Sequence, residues 1–159
     1  MATGPVYMLK RTFAALWRRA PKQWRRLGVL LTESRFTVTV GAVVIDPRNR
    51  VLLLQHRFRP GSGWGIPGGF IRPREQPEDA VRRELREEIG LEIEIASVAF
   101  IRTLQKYRQV EIIFRCIPKG RPLPQSFEIN RAGWFDLNSL PDDLSDDQRE
   151  LIRRALAAG

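Results

Sequence analysis

The sequence predicts an α+β domain that carries a basic helical extension at its amino terminus. Three observations predict it. β-branched or alternating apolar runs recur at 36–45, 51–55, 92–103 and 109–117, the pattern of strands packed on a core. Two charged stretches, 77–89 and 146–157, repeat their apolar residues at helical spacing instead. The basic residues are also unevenly placed: residues 1–36 hold eight Lys/Arg against one acid, Glu33, while the remaining 123 hold 19 against 17.

A chain of 159 residues, 43% hydrophobic and 28% charged, is long enough to bury one real core. The expected division is an extension over 1–35 and a domain over 36–159. No apolar run approaches the roughly 18 residues that span a bilayer, and no apolar signal region is present. The expectation is therefore a cytoplasmic protein without a transmembrane segment. Cys116 is the only cysteine. It lies in the apolar run 112–117, so a buried strand thiol in a reducing compartment is expected.

In order along the chain, residues 7–20 read as a helix, with Leu9, Phe13, Leu16 and Trp17 at helical spacing and Lys10, Arg11, Arg18 and Arg19 between them. Pro21 stops it, or opens a second helix containing Trp24 and Leu27. Four readings of this segment stay open. It anchors to a membrane surface, attracts nucleic acid or phosphate, serves as a transit-type presequence, or packs its aromatic face on the domain or on a second subunit as a homodimer.

The run 36–45 reads as a strand, 46–49 as a turn and 51–55 as a second strand, together a hairpin. His56, Arg57 and Arg59 follow it. His56 reads as a solvated strand end, whereas Arg57 and Arg59 are candidates to meet a phosphate. Residues 64–70, WGIPGGF, form a glycine loop. Pro77 fits an early helical position and Gly90 the residue just past the helix end. Strands 92–103 and 109–117 flank a turn at 106–108. Glu128 sits in a loop ahead of a short strand over 133–136. Ser145 caps a last helix over 146–157, acidic at its start and basic at its end, as the helix dipole favours.

The chemistry concentrates between Gly69 and Leu91. Glu84, Glu87 and Glu88 fall within roughly a 100° arc of one helical face. Val81, Leu85 and Ile89 form the apolar stripe beside them. Carboxylates crowded this way repel one another, and divalent cations are the natural counter-charge.

This stretch resembles the Nudix box, G-x5-E-x7-R-E-U-x-E-E-x-G-U with U a bulky aliphatic. The match covers Gly69, Glu75, Arg83, Glu84, Leu85, Glu87, Glu88, Gly90 and Leu91. WGIPGG before the box, and WFDL with a carboxyl-terminal helix after it, resemble the family too. The resemblance spans about 36–157 and omits the first 35 residues. It implies a Nudix-type α/β/α sandwich with a mixed β-sheet. It also implies a hydrolase that breaks the pyrophosphate link of a nucleoside diphosphate joined to another moiety. Mg²⁺ or Mn²⁺ would reverse the sign of the acidic site and polarise the phosphoryl oxygens.

By matching positions, Glu84 and Glu88 are implied metal ligands, and the Gly69 carbonyl is a main-chain ligand. Glu87 shares the ligand role or holds the attacking water. Arg83 and Glu75 are implied to brace the loop against the helix. The general base is a box glutamate, Glu128 or Glu111, with Glu128 favoured. Trp64, Phe70 and Tyr107 are candidates to stack on a base, with packing under the loop the other reading of Trp64 and an ordinary turn aromatic that of Tyr107. Tyr107 lies where a dinucleoside polyphosphate subgroup has a tyrosine, and Lys106 where an ADP-ribose subgroup has a proline. The substrate expectation therefore stays broad: ADP-ribose, nucleotide sugars, dinucleoside polyphosphates or modified nucleoside triphosphates. The alternatives are an RNA 5′-pyrophosphohydrolase using the basic arm and a non-catalytic nucleotide-binding module.

Overall fold

The computed structural model describes residues 17–19, 21–59 and 61–158. The chain divides after Arg35 into two compact units, each taken here by itself. In the first, residues 17–19 are helical and the rest of the helix expected over 7–20 lies outside the described residues. Helix α1 follows, Lys22–Thr32. Pro21 stands at its start, where its carbonyl accepts from the backbone N–H groups of Trp24 and Arg25. Trp24 and Leu31 are exposed on it.

The second unit contains seven strands and two helices. These are β1 (Thr37–Val44), β2 (Arg50–His56), β3 (Trp64–Gly65), β4 (Gly68–Phe70), α2 (Pro77–Ile89), β5 (Glu92–Leu104), β6 (Gln109–Lys119), β7 (Ile129–Asp136) and α3 (Asp146–Ala157). A turn of 3₁₀ helix, Gln105–Tyr107, joins β5 to β6. One sheet has the order β4-β1-β6-β5 and the other β3-β2-β7. The first is mixed, because β1 runs parallel to β6 and every other pairing in it is antiparallel.

The expected hairpin over residues 36–56 does not form. β1 and β2 belong to different sheets, and their backbones pair only at the turn, through the bridge between Ile45 and Val51 and the Asp46 N–H on the Arg50 carbonyl. Burial explains this. A hairpin with one wet face would show alternating exposure along each strand. Here Thr39–Val44 and Val51–Leu54 are buried throughout. Both strands have apolar side chains on both faces, so each must be the interior of its own sheet.

Two-residue alternation then divides the core. Val40, Ala42 and Val44 of β1 and Leu52 and Leu54 of β2 pack with Ala80, Val81, Leu85 and Ile89 of α2. Val43, Val51 and Leu53 pack the other way, with Leu151, Ile152 and Ala155 of α3. This makes an α/β/α arrangement with α2 and α3 serving opposite faces. Cys116 is buried in the α2-side core, and burial pushes its thiol up to about 12.

The β2–β7 ladder slips at its end. Gln55 faces Arg131 and His56 faces Ile129, which leaves Asn130 as an extra residue on β7. Such a bulge bends and twists the strand locally. It lies where both strands run out into the loops that carry Arg57, Arg59 and Glu128.

Candidate active site

Helix α2 begins with Pro77, has Glu78 and Asp79 in its first turn and ends at Gly90. Gly90 takes φ 62°, a left-handed conformation, and its N–H reaches the Arg86 carbonyl at 3.0 Å. Val81, Leu85 and Ile89 are fully buried and fix the rotation of the helix. That rotation decides the fate of each glutamate. Glu87 faces outward, Glu84 is largely covered, and Glu88, one position from the apolar stripe, is 7% exposed.

Arg83 holds the loop to the helix. Its Nε and Nη2 donate to the two carboxylate oxygens of Glu75 at 2.7 and 2.9 Å. Nη2 also donates to the Phe70 carbonyl at 3.0 Å, and Nη1 to Glu84 at 2.7 Å and Glu87 at 3.2 Å. Glu75 accepts the Arg72 backbone N–H as well, at 2.9 Å. The Arg83 hydrogen bonds, then the Arg72 backbone donor, hold the Glu75 carboxyl at about 2.

Gly69 lies where β4 passes under Glu84. A Cβ there would fall 2.5 and 2.7 Å from the two carboxylate oxygens of Glu84. Only glycine leaves that approach open.

Behind the glutamates Glu88, which is buried, meets the half-buried His56 and Arg59; His56, expected as a solvated strand end, is turned inward here. Glu88 Oε2, His56 Nε2 and Arg59 Nη1 are each buried without a hydrogen-bond partner. Burial, then the charges of Glu84 and Glu128, push the Glu88 carboxyl up to about 8 against the opposing Gly68 N–H and Arg59. His56 Nδ1 lies 3.8 Å from Glu88 Oε1. Burial and then Arg59 hold the imidazole down at about 4, so it is neutral at pH 7 and this contact is not an ion pair. Arg59 is itself depressed by burial, with Glu88 and Glu111 opposing. A cation beside Glu88 would relieve the carboxylate repulsion and use its idle oxygen.

The glycine loop, through Gly69 and Phe70, borders a cavity of about 190 Å³ whose lining also includes Arg59, Gln109, Glu111 and Gln148. Glu111 is fixed by the guanidinium of Arg102, which Asp147 of α3 grips at 2.6 and 2.8 Å. Gln148 accepts the Ile66 N–H at 2.9 Å. Gln109 donates to the Thr39 hydroxyl at 2.8 Å.

The remaining candidates divide between rim and core. The Arg57 N–H donates to the Glu128 carbonyl at 2.8 Å, which ties the two loops together. The Arg57 guanidinium covers the Phe127 ring at 4.0 Å, and Phe58 lies 6.2 Å from that ring. Phe58 and Phe127 are both 70% exposed. Trp64, by contrast, packs edge-on to Phe135 at 5.1 Å in the α3-side core. Phe70 is exposed at the cavity, and Tyr107 is exposed in the turn between β5 and β6.

Sequence reasoning did not single out Arg102, Asp147, Gln148, Phe58 or Phe127. Arg102 and Glu111 do face each other across β5 and β6, an opposite-charge pair that only a known register reveals.

Among the described residues, no three carboxylate, imidazole or thiol groups stand together as a formed metal cage, since Arg83 engages Glu84 and Glu87. The donor set nevertheless fits a hard divalent cation. It is all oxygen, with an unpartnered Glu88 oxygen and the Glu84 carboxylate set against the Gly69 backbone.

An α/β/α sandwich with a braced, glutamate-rich loop and helix beside an open cavity defines, with the relatives named next, a pyrophosphohydrolase class of enzyme. The chain belongs to the Nudix hydrolases: the NUDIX domain matches residues 35–155. It is 30% identical over 115 residues to an ADP-ribose pyrophosphatase of Methanocaldococcus jannaschii, covering 69% of this chain and 68% of that one. It is 33% identical over 116 residues to an m7GpppN-mRNA hydrolase of Caenorhabditis elegans, covering 69% of this chain but only 15% of that much longer protein. Among solved structures, a MutT NUDIX hydrolase from Burkholderia pseudomallei superposes with a TM-score of 0.67 at 27% identity, over 76% of this chain and 98% of that one. Nudix enzymes generally need a divalent metal. Among the described residues no helix is long and apolar enough to cross a membrane.

Proposed function

We propose that this chain hydrolyses the pyrophosphate bond of a nucleoside diphosphate linked to a second moiety, with Glu84, Glu87, Glu88 and the Gly69 carbonyl holding Mg²⁺ or Mn²⁺. The observation that carries this reading is Glu88, a buried carboxylate with one idle oxygen, its pKa raised by that burial and then by the charge of Glu84. The bound metal would supply charge neutralisation for the phosphoryl oxygens and acidify a water.

The chain's own residues do the rest. Arg83 and Glu75 keep the loop at a fixed distance from the helix, so that the Gly69 carbonyl and the glutamates stay in register. Arg59, half-buried and with Nη1 free, offers a guanidinium to a phosphate, and Arg57 offers another at the rim. Glu128, exposed beside Glu88, takes the proton of the attacking water. The water oxygen bonds to one phosphorus, the bridging P–O bond breaks, and its electron pair leaves on the departing phosphate. Phe127 and Phe58 offer an exposed aromatic platform for a planar ring of the substrate.

ADP-ribose, a nucleotide sugar, a dinucleoside polyphosphate or a modified nucleoside triphosphate all present this bond. The 5′ end of RNA is a second reading, favoured by the eight basic residues against one acid in 1–36. Through the same arm the chain would contact nucleic acid, a membrane surface or a second copy of itself. The buried Cys116 thiol suits a reducing cytoplasm.

The test is phosphate release across a nucleotide panel with Mg²⁺ or Mn²⁺, with Glu88→Gln as control. Metal-dependent turnover that drops by several orders of magnitude in the variant supports the reading. Equal turnover in both would overturn the mechanism, and no turnover on any member of the panel would leave a non-catalytic binding module.

A further inference from the structure

A second cleft lies far from the glutamates. Strand β2 runs seven residues from Arg50 to His56, so at about 3.3 Å per residue its ends stand about 20 Å apart. His56 belongs to the cluster around Glu88 in the active site. At the Arg50 end, an open cleft of about 450 Å³ is lined by Arg48, Arg50, Arg121, Pro122, Ala132 and Trp134.

No acid lines this cleft, and its three arginines differ in standing. Arg50 is already engaged: its Nε and Nη2 donate to Asp46 Oδ2 at 3.0 and 2.7 Å. Asp46 Oδ1 meanwhile accepts the backbone N–H groups of Arg48 and Arg50, which fixes the turn that carries them. Arg48 and Arg121 are exposed, and neither makes an ion pair among the described residues. Trp134 is half-buried, packed against the α2-side core, and supplies the aromatic part of the lining. Two uncommitted guanidinium groups beside an indole match one kind of ligand: a phosphate for the arginines and a flat ring for the tryptophan.

We propose that this cleft binds one nucleotide unit, its base against Trp134 and its phosphate between Arg48 and Arg121. Two sources present that chemistry. One is a free mononucleotide, bound away from the glutamates. The other is a nucleotide within a single-stranded RNA, held about 20 Å from His56.

Binding of AMP and of a 5′-hydroxyl oligoadenylate to the full chain, measured by calorimetry in chelator at several salt concentrations, tests this. Neither ligand contains a pyrophosphate bond to be cleaved. The variants are Arg48→Ala/Arg121→Ala, which alters only exposed side chains, and Trp134→Leu, which keeps apolar volume but loses the flat ring. If the source is a free nucleotide, the double variant weakens AMP tenfold or more. If the source is RNA, the weakening falls on the oligonucleotide, and its log–log salt slope becomes shallower by about 0.7, the share of the one phosphate held between the two arginines. Trp134→Leu weakens the same ligand without changing the salt slope. Unchanged affinity of both ligands in the double variant, or binding of neither to the unaltered chain, overturns the proposal.

Discussion

Glu75 and Arg83 are joined by two nearly parallel hydrogen bonds, 2.7 and 2.9 Å long, from a loop to the middle of a helix. The same guanidinium reaches Glu84 and the Phe70 carbonyl. One side chain thus touches three of the four box glutamates, Glu75, Glu84 and Glu87, and sets their spacing from the glycine loop. Lysine keeps the charge at this position but cannot make the fork. Arg83→Lys is expected to lower kcat by roughly tenfold or more, because misplacement of catalytic groups is costly, while Tm moves by only a few degrees. Steady-state kinetics alongside thermal melts separates the two effects.

The same pair predicts an acid response. Glu75 titrates near 4.5 when unfolded and at about 2 in the fold, its hydrogen bonds to Arg83 being the main cause. The unfolded chain therefore binds the extra proton between those values. The contribution is fully present above pH 4.5 and is lost as pH falls towards 2. Glu75→Gln should flatten the fall in Tm across that interval and leave the slope above pH 5 unchanged. An identical acid slope in the variant would show that the pair carries no such linkage.

Glu88 behaves in the opposite sense. In chelator-treated protein its carboxyl titrates at about 8, against 4.5 unfolded. The folded state now holds the extra proton, so this contribution is present below pH 4.5 and is lost as pH rises through 8. Glu88→Gln should make the metal-free protein more stable than the parent above pH 8, by a few °C in Tm, while turnover with metal falls by about a thousandfold or more. Melts at pH 6 and pH 9 in chelator, paired with metal-loaded assays, check both halves.

Phe127 and Phe58 stand exposed next to the loops that bear Glu128, Arg57 and Arg59. Base stacking on one ring is worth about 1–3 kcal/mol. Phe127→Ala is therefore expected to raise KM by roughly 5- to 100-fold with kcat nearly kept, since the ring meets the substrate away from the bond that breaks. A loss confined to kcat would assign the ring to loop positioning instead.

Cys116 is buried and its thiol is pushed up to about 12. At pH 8 the folded protein should resist alkylation by iodoacetamide for hours, and denaturant should release one rapidly modified thiol. Mass spectrometry with and without urea reads this directly.

The box was legible because its constraint is local. Glycine, arginine and glutamate at fixed spacing describe a single loop and helix, and the bounds 77–89 of that helix are those observed. Strands β5 and β6 and helix α3 were legible for the same reason. What escaped was pairing across long separations. β1 takes β6 as its parallel neighbour, with Thr37 facing Gln109, and no turn signal announces that choice. The fully apolar runs of β1 and β2 fit a hairpin as well as two separate sheet interiors, until their burial is known. The same blindness hid the grip of Arg102 on Glu111 and Asp147, because three separate elements supply its members. Trp64 has two readings in the sequence, a stacking platform or a residue packed under the loop, and its contact with Phe135 in the core is the second.

The extra residue on β7, Asn130, couples the length of one strand to the placement of the loop before it. A strand lengthened by one residue beyond a regular ladder is a reversible edit. Losing one codon there would pull Phe127 and Glu128 back by one position and turn them to the other side, while leaving α2 and its glutamates untouched. The aromatic ring and the proposed base would thus shift as one unit, apart from the proposed metal ligands on α2. A change of length at this bulge would therefore touch substrate grip and proton removal together, and a change in the box the seat of the metal.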